Sequence, residues 1–181
     1  MPYAHNCDGA SISPEGKRLL TSASMSDSPI SYGASYGTGD SAVERVNAMI
    51  RFTPQAQALG VEVTKVGKGA AWGRVPYRPE LVGDPNTGII AGGVLTTFLD
   101  QLCGAAAILA MDEPTIVATI DLRIDYMRPA QPGRDVLAEA QCYKLGKNVA
   151  FVRATAYEVT PDNPIAHVSA AFAITGKAKR R

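Results

Sequence analysis

The sequence predicts an α+β fold in which one long apolar helix is wrapped by one curved antiparallel β-sheet. Three observations predict it. "GIIAGGVLTTFLDQLCGAA", residues 88–106, reads as a short loop and two glycines opening a long apolar helix. "TIVATIDLRIDYM", residues 115–127, alternates apolar and polar side chains for a dozen positions, the period of a half-buried strand. Three more β-rich runs follow, separated by stretches carrying Pro, Gly and Asn.

At 181 residues and 46% hydrophobic, the chain suits one domain with its own core. The formal net charge is +1, and the only local excess is Lys177, Lys179, Arg180 and Arg181. No aromatic residues interleave with that run, so residues 177–181 read as a solvated basic tail and not a nucleic-acid patch. Cys7, Cys103 and Cys142 are odd in number, widely spaced and without a C-x-x-C. That argues against a disulfide framework or a zinc site and fits a cytoplasmic setting. The first 25 residues lack an apolar h-region, so a secretory signal is not expected. The run from Val94 to Met111 contains Asp100 and Gln101 and is short for a bilayer, so no membrane span is expected.

Residues 1–40 are rich in Ser and Gly without sustained periodicity and read as a flexible N-terminal extension. Gly33, Gly37 and Gly39 imitate a glycine-rich loop, but no strand precedes them; Met25 is an alternative start. The domain proper is expected over 41–176. Ser41 and Glu44 match a capping box. Val43, Val46, Met49 and Ile50 then share one face of a helix that Pro54 stops near Phe52. Leu59, Val61 and Val63 alternate as in a strand, Gly67 to Gly69 turns the chain, and Ala70 to Pro76 makes a second strand. "RPELVGDPNTG" is a loop by its Pro, Gly, Asp and Asn content.

The long helix runs to "MDEP", and Gly104, Ala105, Ala106 and Ala107 let a sheet approach it closely. In the strand after it, Ile116, Ala118, Ile120, Leu122, Ile124 and Tyr126 are expected on one face. Val117, Thr119, Asp121, Arg123 and Asp125 are expected on the other. "RPAQPG" breaks it. Val136 to Leu145, Val149 to Thr160 and Ile165 to Thr175 are the remaining strands, and the four C-terminal strands are expected to be antiparallel neighbours.

One carboxylate, Asp100, stands in the middle of the apolar helix. Its face-mates are Thr96, Thr97, Cys103 and Gly104. A buried carboxylate is costly unless paired, hydrogen-bonded or put to use; a partly exposed Asp, or one satisfied by Thr hydroxyls, is the structural alternative. Gly92 and Gly93 sit where four helix N–H groups lack internal partners, a setting that suits an anion or oxyanion. A tight loop-to-helix turn would use glycines as well. His5 and His167 are isolated, there is no G-x-S-x-G, and no His/Asp/Glu cluster has metal-ligand spacing.

Together, "NTGIIAGGVLTTFLD", "CGAAA", "ATIDLRIDYMRPA", "AEA" and "KLGKNVAF" resemble a hotdog-fold acyl-CoA thioesterase. The likeness is to the phenylacetate-pathway type within the hydroxybenzoyl-CoA thioesterase class, over residues of about 50 to 175. The family pattern is a loop Asn, a His-Gly-Gly, an Asp nine residues after that His, and a Ser or Thr on the next strand. The resemblance implies that Asp100 is the catalytic general base or nucleophile and that the Gly92 N–H is the oxyanion donor. It implies that Asn86 is the loop residue orienting carbonyl or water, and that Thr119 holds the attacking water. Gly93, Arg128, Gly146 and Lys147 match positions that meet coenzyme A, with Arg128 toward its phosphates. Leu95, Phe98 and Leu102 are candidates for the acyl pocket.

No metal or redox cofactor is implied, since coenzyme A enters as part of the substrate. A homodimer, or a homotetramer built as a dimer of dimers, is implied, with Asn86 of one chain meeting Asp100 of the other. The family His is Ala91 here. That departure keeps a second reading open, a noncatalytic acyl-CoA-binding hotdog protein. A hotdog dehydratase is disfavoured because no His stands near the site.

Overall fold

The computed structural model describes residues 39–113 and 115–177. The readings of residues 1–38, including Cys7, Met25 and the glycines before Gly39, and of the tail beyond Lys177 lie outside the described residues.

Helix α1 (Asp40–Arg51) is followed by α2 (Pro54–Leu59), β1 (Glu62–Gly67) and β2 (Ala70–Val75). A 3₁₀ turn (Pro79–Leu81) leads into the small hairpin β3 (Val82–Asp84) and β4 (Ile89–Ile90). Then come α3 (Gly92–Leu109), β5 (Thr115–Tyr126), β6 (Val136–Leu145), β7 (Val149–Tyr157) and β8 (Ala166–Lys177). Six strands form one antiparallel sheet in the order β1-β2-β6-β7-β8-β5, and α3 packs across it. This is the α+β hotdog architecture.

The α3 side chains Phe98, Leu99, Leu102, Cys103, Ala106 and Ala107 are fully buried. Their counterparts are the alternate sheet residues Ala71, Val75, Ala138, Val152, Ala154, Val168 and Phe172. The apolarity of α3 is thus used inside the chain. Close approach is built in at Gly73, where a β-carbon would come within 2.8 Å of the Glu62 carbonyl and 3.2 Å of Phe98.

Several sequence expectations are corrected. The capping box does not form: the N-cap is Gly39, at φ 88°, two residues before Ser41, and it has no side-chain cap. Leu59 belongs to α2, which Pro54 opens and Gly60 closes in the left-handed conformation; the strand begins only at Glu62. β6 does not neighbour β5. The connection over residues 127–135 is too long and Pro-rich for a hairpin, so β6 crosses to pair with β2 while β8 takes the place beside β5.

The alternation in β5 is also interrupted. The pairing with β8 shifts register between Ile116 and Val117 and again between Thr119 and Asp121. On the β5 side Ile120 is the extra residue. Ile116 and Ile120 therefore face away and are 52% and 59% exposed. Val117 and Thr119 instead share the helix-facing side with Leu122, Ile124 and Tyr126.

The two sheet edges differ. β1 is closed by α1, whose buried Asn47 pairs with the main chain of Val63 through both amide atoms at 2.7 Å. The outer edge of β5 pairs with no strand among the described residues.

Candidate active site

Asp100 is half-buried on α3, and its Oδ1 accepts a hydrogen bond from Thr119 Oγ1 at 2.9 Å. The bulge at Ile120 makes this pair possible by turning Thr119 inward. Thr119 thus bonds the carboxylate directly, through Oδ1. Cys103, one turn further on, is fully buried. Burial, and secondarily the Asp100 charge, pushes its thiol up to about 12. Cys103 is therefore a neutral packing residue and no nucleophile.

At the other end of α3, Gly92 and Gly93 are exposed and have ordinary helical backbone conformations. A β-carbon on Gly93 would meet nothing within 4 Å, and one on Gly92 would make only ordinary contact with the Tyr126 hydroxyl at 3.5 Å. Neither glycine is required by a turn or by packing. Each costs about 1 kcal/mol relative to Ala inside a helix. What they provide is open space against unpaired N–H groups.

Two hydroxyls converge on the same turn. Tyr126 OH donates to the Gly92 carbonyl at 3.1 Å, and Thr96 Oγ1 lies 3.1 Å from that oxygen and 3.2 Å from the Tyr126 hydroxyl. The sequence reading missed this contact because it placed Tyr126 among the apolar residues of β5.

Asp100 and Gly92 are eight residues apart on one helix, about 12 Å along its axis at 1.5 Å per residue. A carboxylate side chain leans back toward the N-terminus by part of that distance only. One carbonyl carbon cannot meet both groups of one chain.

Asn86 sits in the exposed β3–β4 turn, where its N–H donates to Asp84 Oδ1 at 3.0 Å. Gly146 and exposed Lys147 form the β6–β7 turn, closed by the Gly146 N–H on the Val149 carbonyl at 2.8 Å. Val149 pairs with Ala173, which pairs with Ala118. The turn therefore lies level with Thr119, two strand spacings or about 10 Å away.

Arg128 is not the free cation that phosphate binding asks for. Its guanidinium grips Glu158 with two nitrogens and also donates to the Asn163 side chain and carbonyl. Phe98 and Leu102 are sealed in the core and border no open pocket. Leu95, with Ile90, Gly92, Tyr126, Met127 and Ile165, borders a mainly apolar pocket of about 340 Å³ beside the N-terminus of α3. A larger concavity of about 590 Å³ lies on the far face of the sheet, among Trp72, Glu139, Arg153 and His167. It does not adjoin Asp100. His167 points there, next to Thr155 at 3.3 Å, away from the helix.

The thioesterase superfamily model matches residues 87–164, from the β3–β4 turn to the loop before β8. A putative esterase of Halobacterium salinarum is 35% identical over 106 residues, 57% of this chain and 68% of that protein. The medium/long-chain acyl-CoA thioesterase YigI of Escherichia coli is 29% identical over 130 residues, 64% of this chain and 83% of its own. The crystal structure of a Pseudomonas aeruginosa protein superposes with a TM-score of 0.67 at 38% identity, covering 72% of this chain and 97% of that one.

Proposed function

Because the chain belongs to the thioesterase superfamily, we propose that it hydrolyses an acyl-CoA thioester to the free acid and coenzyme A, with Asp100 as the catalytic carboxylate. The observation that carries this reading is the Thr119–Asp100 hydrogen bond: it orients one carboxylate oxygen and leaves the other for water. Asp100 Oδ2 takes a proton as the water oxygen bonds to the thioester carbon. The oxyanion is stabilised by the N–H groups of Gly92 and Gly93, the tetrahedral intermediate expels the thiolate of coenzyme A, and that sulfur is then protonated. Direct attack by the carboxylate through an anhydride is the variant of the same assignment.

The roughly 12 Å between Asp100 and Gly92 supports a homodimer as the active unit. The open edge of β5 is where two sheets join. Asn86 and the Gly92 N–H of one chain then serve the substrate that Asp100 and Thr119 of the other attack. The apolar pocket beside Leu95 takes an apolar acyl group, in line with the medium/long-chain substrates named for YigI. Lys147 at the β6–β7 turn, level with Thr119, meets the coenzyme A portion. The reading of this chain as the phenylacetate-pathway type within the family is supported by its "ATIDLRIDYMRPA" run.

Ala91 supports a second reading. The N-cap of α3 has no side-chain hydrogen bond, where the family has a His. A noncatalytic acyl-CoA binder would bind ligand without turnover. Release of free thiol from short-chain, medium-chain and aryl acyl-CoAs by wild type and Asp100→Asn separates the two. Loss of about 10²-fold or more in the variant is expected for a general base. Unchanged turnover would sink the Asp100 assignment, and binding with no release by wild type would favour the second reading.

A further inference from the structure

We propose that Tyr126 is a positioning residue that holds and polarises the Gly92–Gly93 peptide, so that its N–H, on Gly93, serves as an oxyanion donor. The inference rests on the thioesterase reading above and goes beyond it by assigning a residue that the resemblance does not.

The Gly92 carbonyl and the Gly93 N–H belong to one peptide plane. That carbonyl already accepts the first-turn helix bond, yet the hydroxyls of Tyr126 and Thr96 both lie 3.1 Å from it. The turn is exposed, so neither hydroxyl is needed to satisfy a buried acceptor. Their effect is on the peptide itself. Two consecutive glycines let a ligand come close, but they also make this the conformationally loosest turn of α3. A hydroxyl anchored on β5 fixes the orientation of the plane. Hydrogen bonding at the carbonyl also strengthens the N–H of the same amide, by about 10–30% in condensed-phase estimates. A preorganised donor works because it needs no rearrangement as charge develops.

Delivery of the hydroxyl depends on the bulge at Ile120, without which Thr119 and Tyr126 would face opposite ways. With Ala at position 91 the turn has no side-chain cap; the Ala91 N–H ties it to the Leu81 carbonyl, and the Tyr126 hydroxyl adds a tie to the sheet.

Tyr126→Phe removes one oxygen and keeps the ring against Gly92. Expected is a fall in kcat of about tenfold with KM within about twofold, smaller than the 10²–10³ typical when an oxyanion donor is lost outright. In the substrate-free protein the Gly93 amide proton should move upfield and exchange faster with solvent. Thr96→Val should give a smaller loss, and the double variant less than the product of the two, because both hydroxyls act on one carbonyl. A structural role alone would lower Tm and leave kcat and the Gly93 resonance in place. Unchanged kcat in Tyr126→Phe of an active enzyme would overturn this proposal alone. A rise in KM matching the loss in kcat/KM would overturn it too, as the sign of direct substrate binding. No thiol release by wild type from any acyl-CoA would bring down both this and the thioesterase reading.

Discussion

Thr119 and Tyr126 stand on the same face of β5 although seven residues separate them, an odd interval that a regular strand assigns to opposite faces. Thr119 reaches Asp100 at 2.9 Å and Tyr126 reaches the Gly92 carbonyl at 3.1 Å. The extra residue at Ile120 reconciles them, as bulges commonly re-aim side chains near functional sites. Deleting Ile120 leaves Thr119 and Tyr126 six positions apart, an even interval, so a regular strand keeps both on the helix-facing side. Leu122 and Ile124 pack on the core and hold the downstream half, so Thr119 should keep its bond to Asp100 in the deletion. Thr119→Val removes that hydrogen bond without moving the strand. A bond to a charged group is worth about 1.5–3 kcal/mol, so Thr119→Val should lose roughly ten- to a hundredfold in thiol release while the deletion retains it. A loss in the deletion as large as in Thr119→Val would show that the facing of the two side chains alone does not place the site.

The separation of Asp100 and Gly92 along α3 gives a test by complementation. Asn86→Ala and Asp100→Asn should each be nearly inactive alone. Mixed and allowed to exchange subunits, they form hybrid dimers in which one site carries both lesions and the other carries neither. Random reassortment of a two-fold dimer should restore roughly a quarter of wild-type turnover. Turnover no greater than the sum of the two separate variants would mean that each site lies within one chain.

Periodicity located much of the fold. The bounds of β6 agree with the reading of Val136 to Leu145, and the apolar helix was legible because its pattern is long. Pairing was not legible. Which strand β5 sits beside is decided by the reach of residues 127–135 and by the open edge of β2, neither of which leaves a local signal. The bulge escaped notice for a related reason: the alternation in 116–126 reads as perfect, and only the partner strand breaks it. At the site, Asp100 stood out as a carboxylate on an apolar helix, whereas Thr119 was singled out by resemblance alone. The diversion of Arg128 onto Glu158 could not be read from a separation of 30 residues.

That ion pair predicts a limit on acid stability. Burial pushes the Glu158 carboxyl up, but the Arg128 hydrogen bonds and charge, with the Gln131 N–H, outweigh it and hold the group below its ordinary value. A carboxyl depressed in the folded state contributes stability that is complete above its unfolded pKa and is lost as pH falls through the folded one. The contribution should be whole above about pH 5 and fade below about pH 4.5. Tm measured from pH 7 to pH 3 should fall over that interval in wild type. Glu158→Gln should be less stable at pH 7 and show a flatter profile there. An identical slope in the variant would show that other carboxylates carry the acid transition.

The closure of the β1 edge is the last relationship with a measurable consequence. Asn47 lies among Val46, Ile50 and other apolar groups of α1 and is only 7% exposed, yet both its amide atoms are paired with Val63. The side chain imitates a neighbouring strand for one residue, at the point where β1 shifts register against β2. Asn47→Leu is close in size but leaves the Val63 N–H and carbonyl buried without partners. Each such orphan costs about 1–3 kcal/mol, so destabilisation of about 2–5 kcal/mol is expected. In a domain of this size that corresponds to a Tm lower by roughly 5–15 °C. Catalysis per folded molecule should be unchanged, because Asn47 belongs to the edge opposite β5. Amide exchange at Val63 should accelerate in the variant, and unaltered exchange there would refute the edge-closing role.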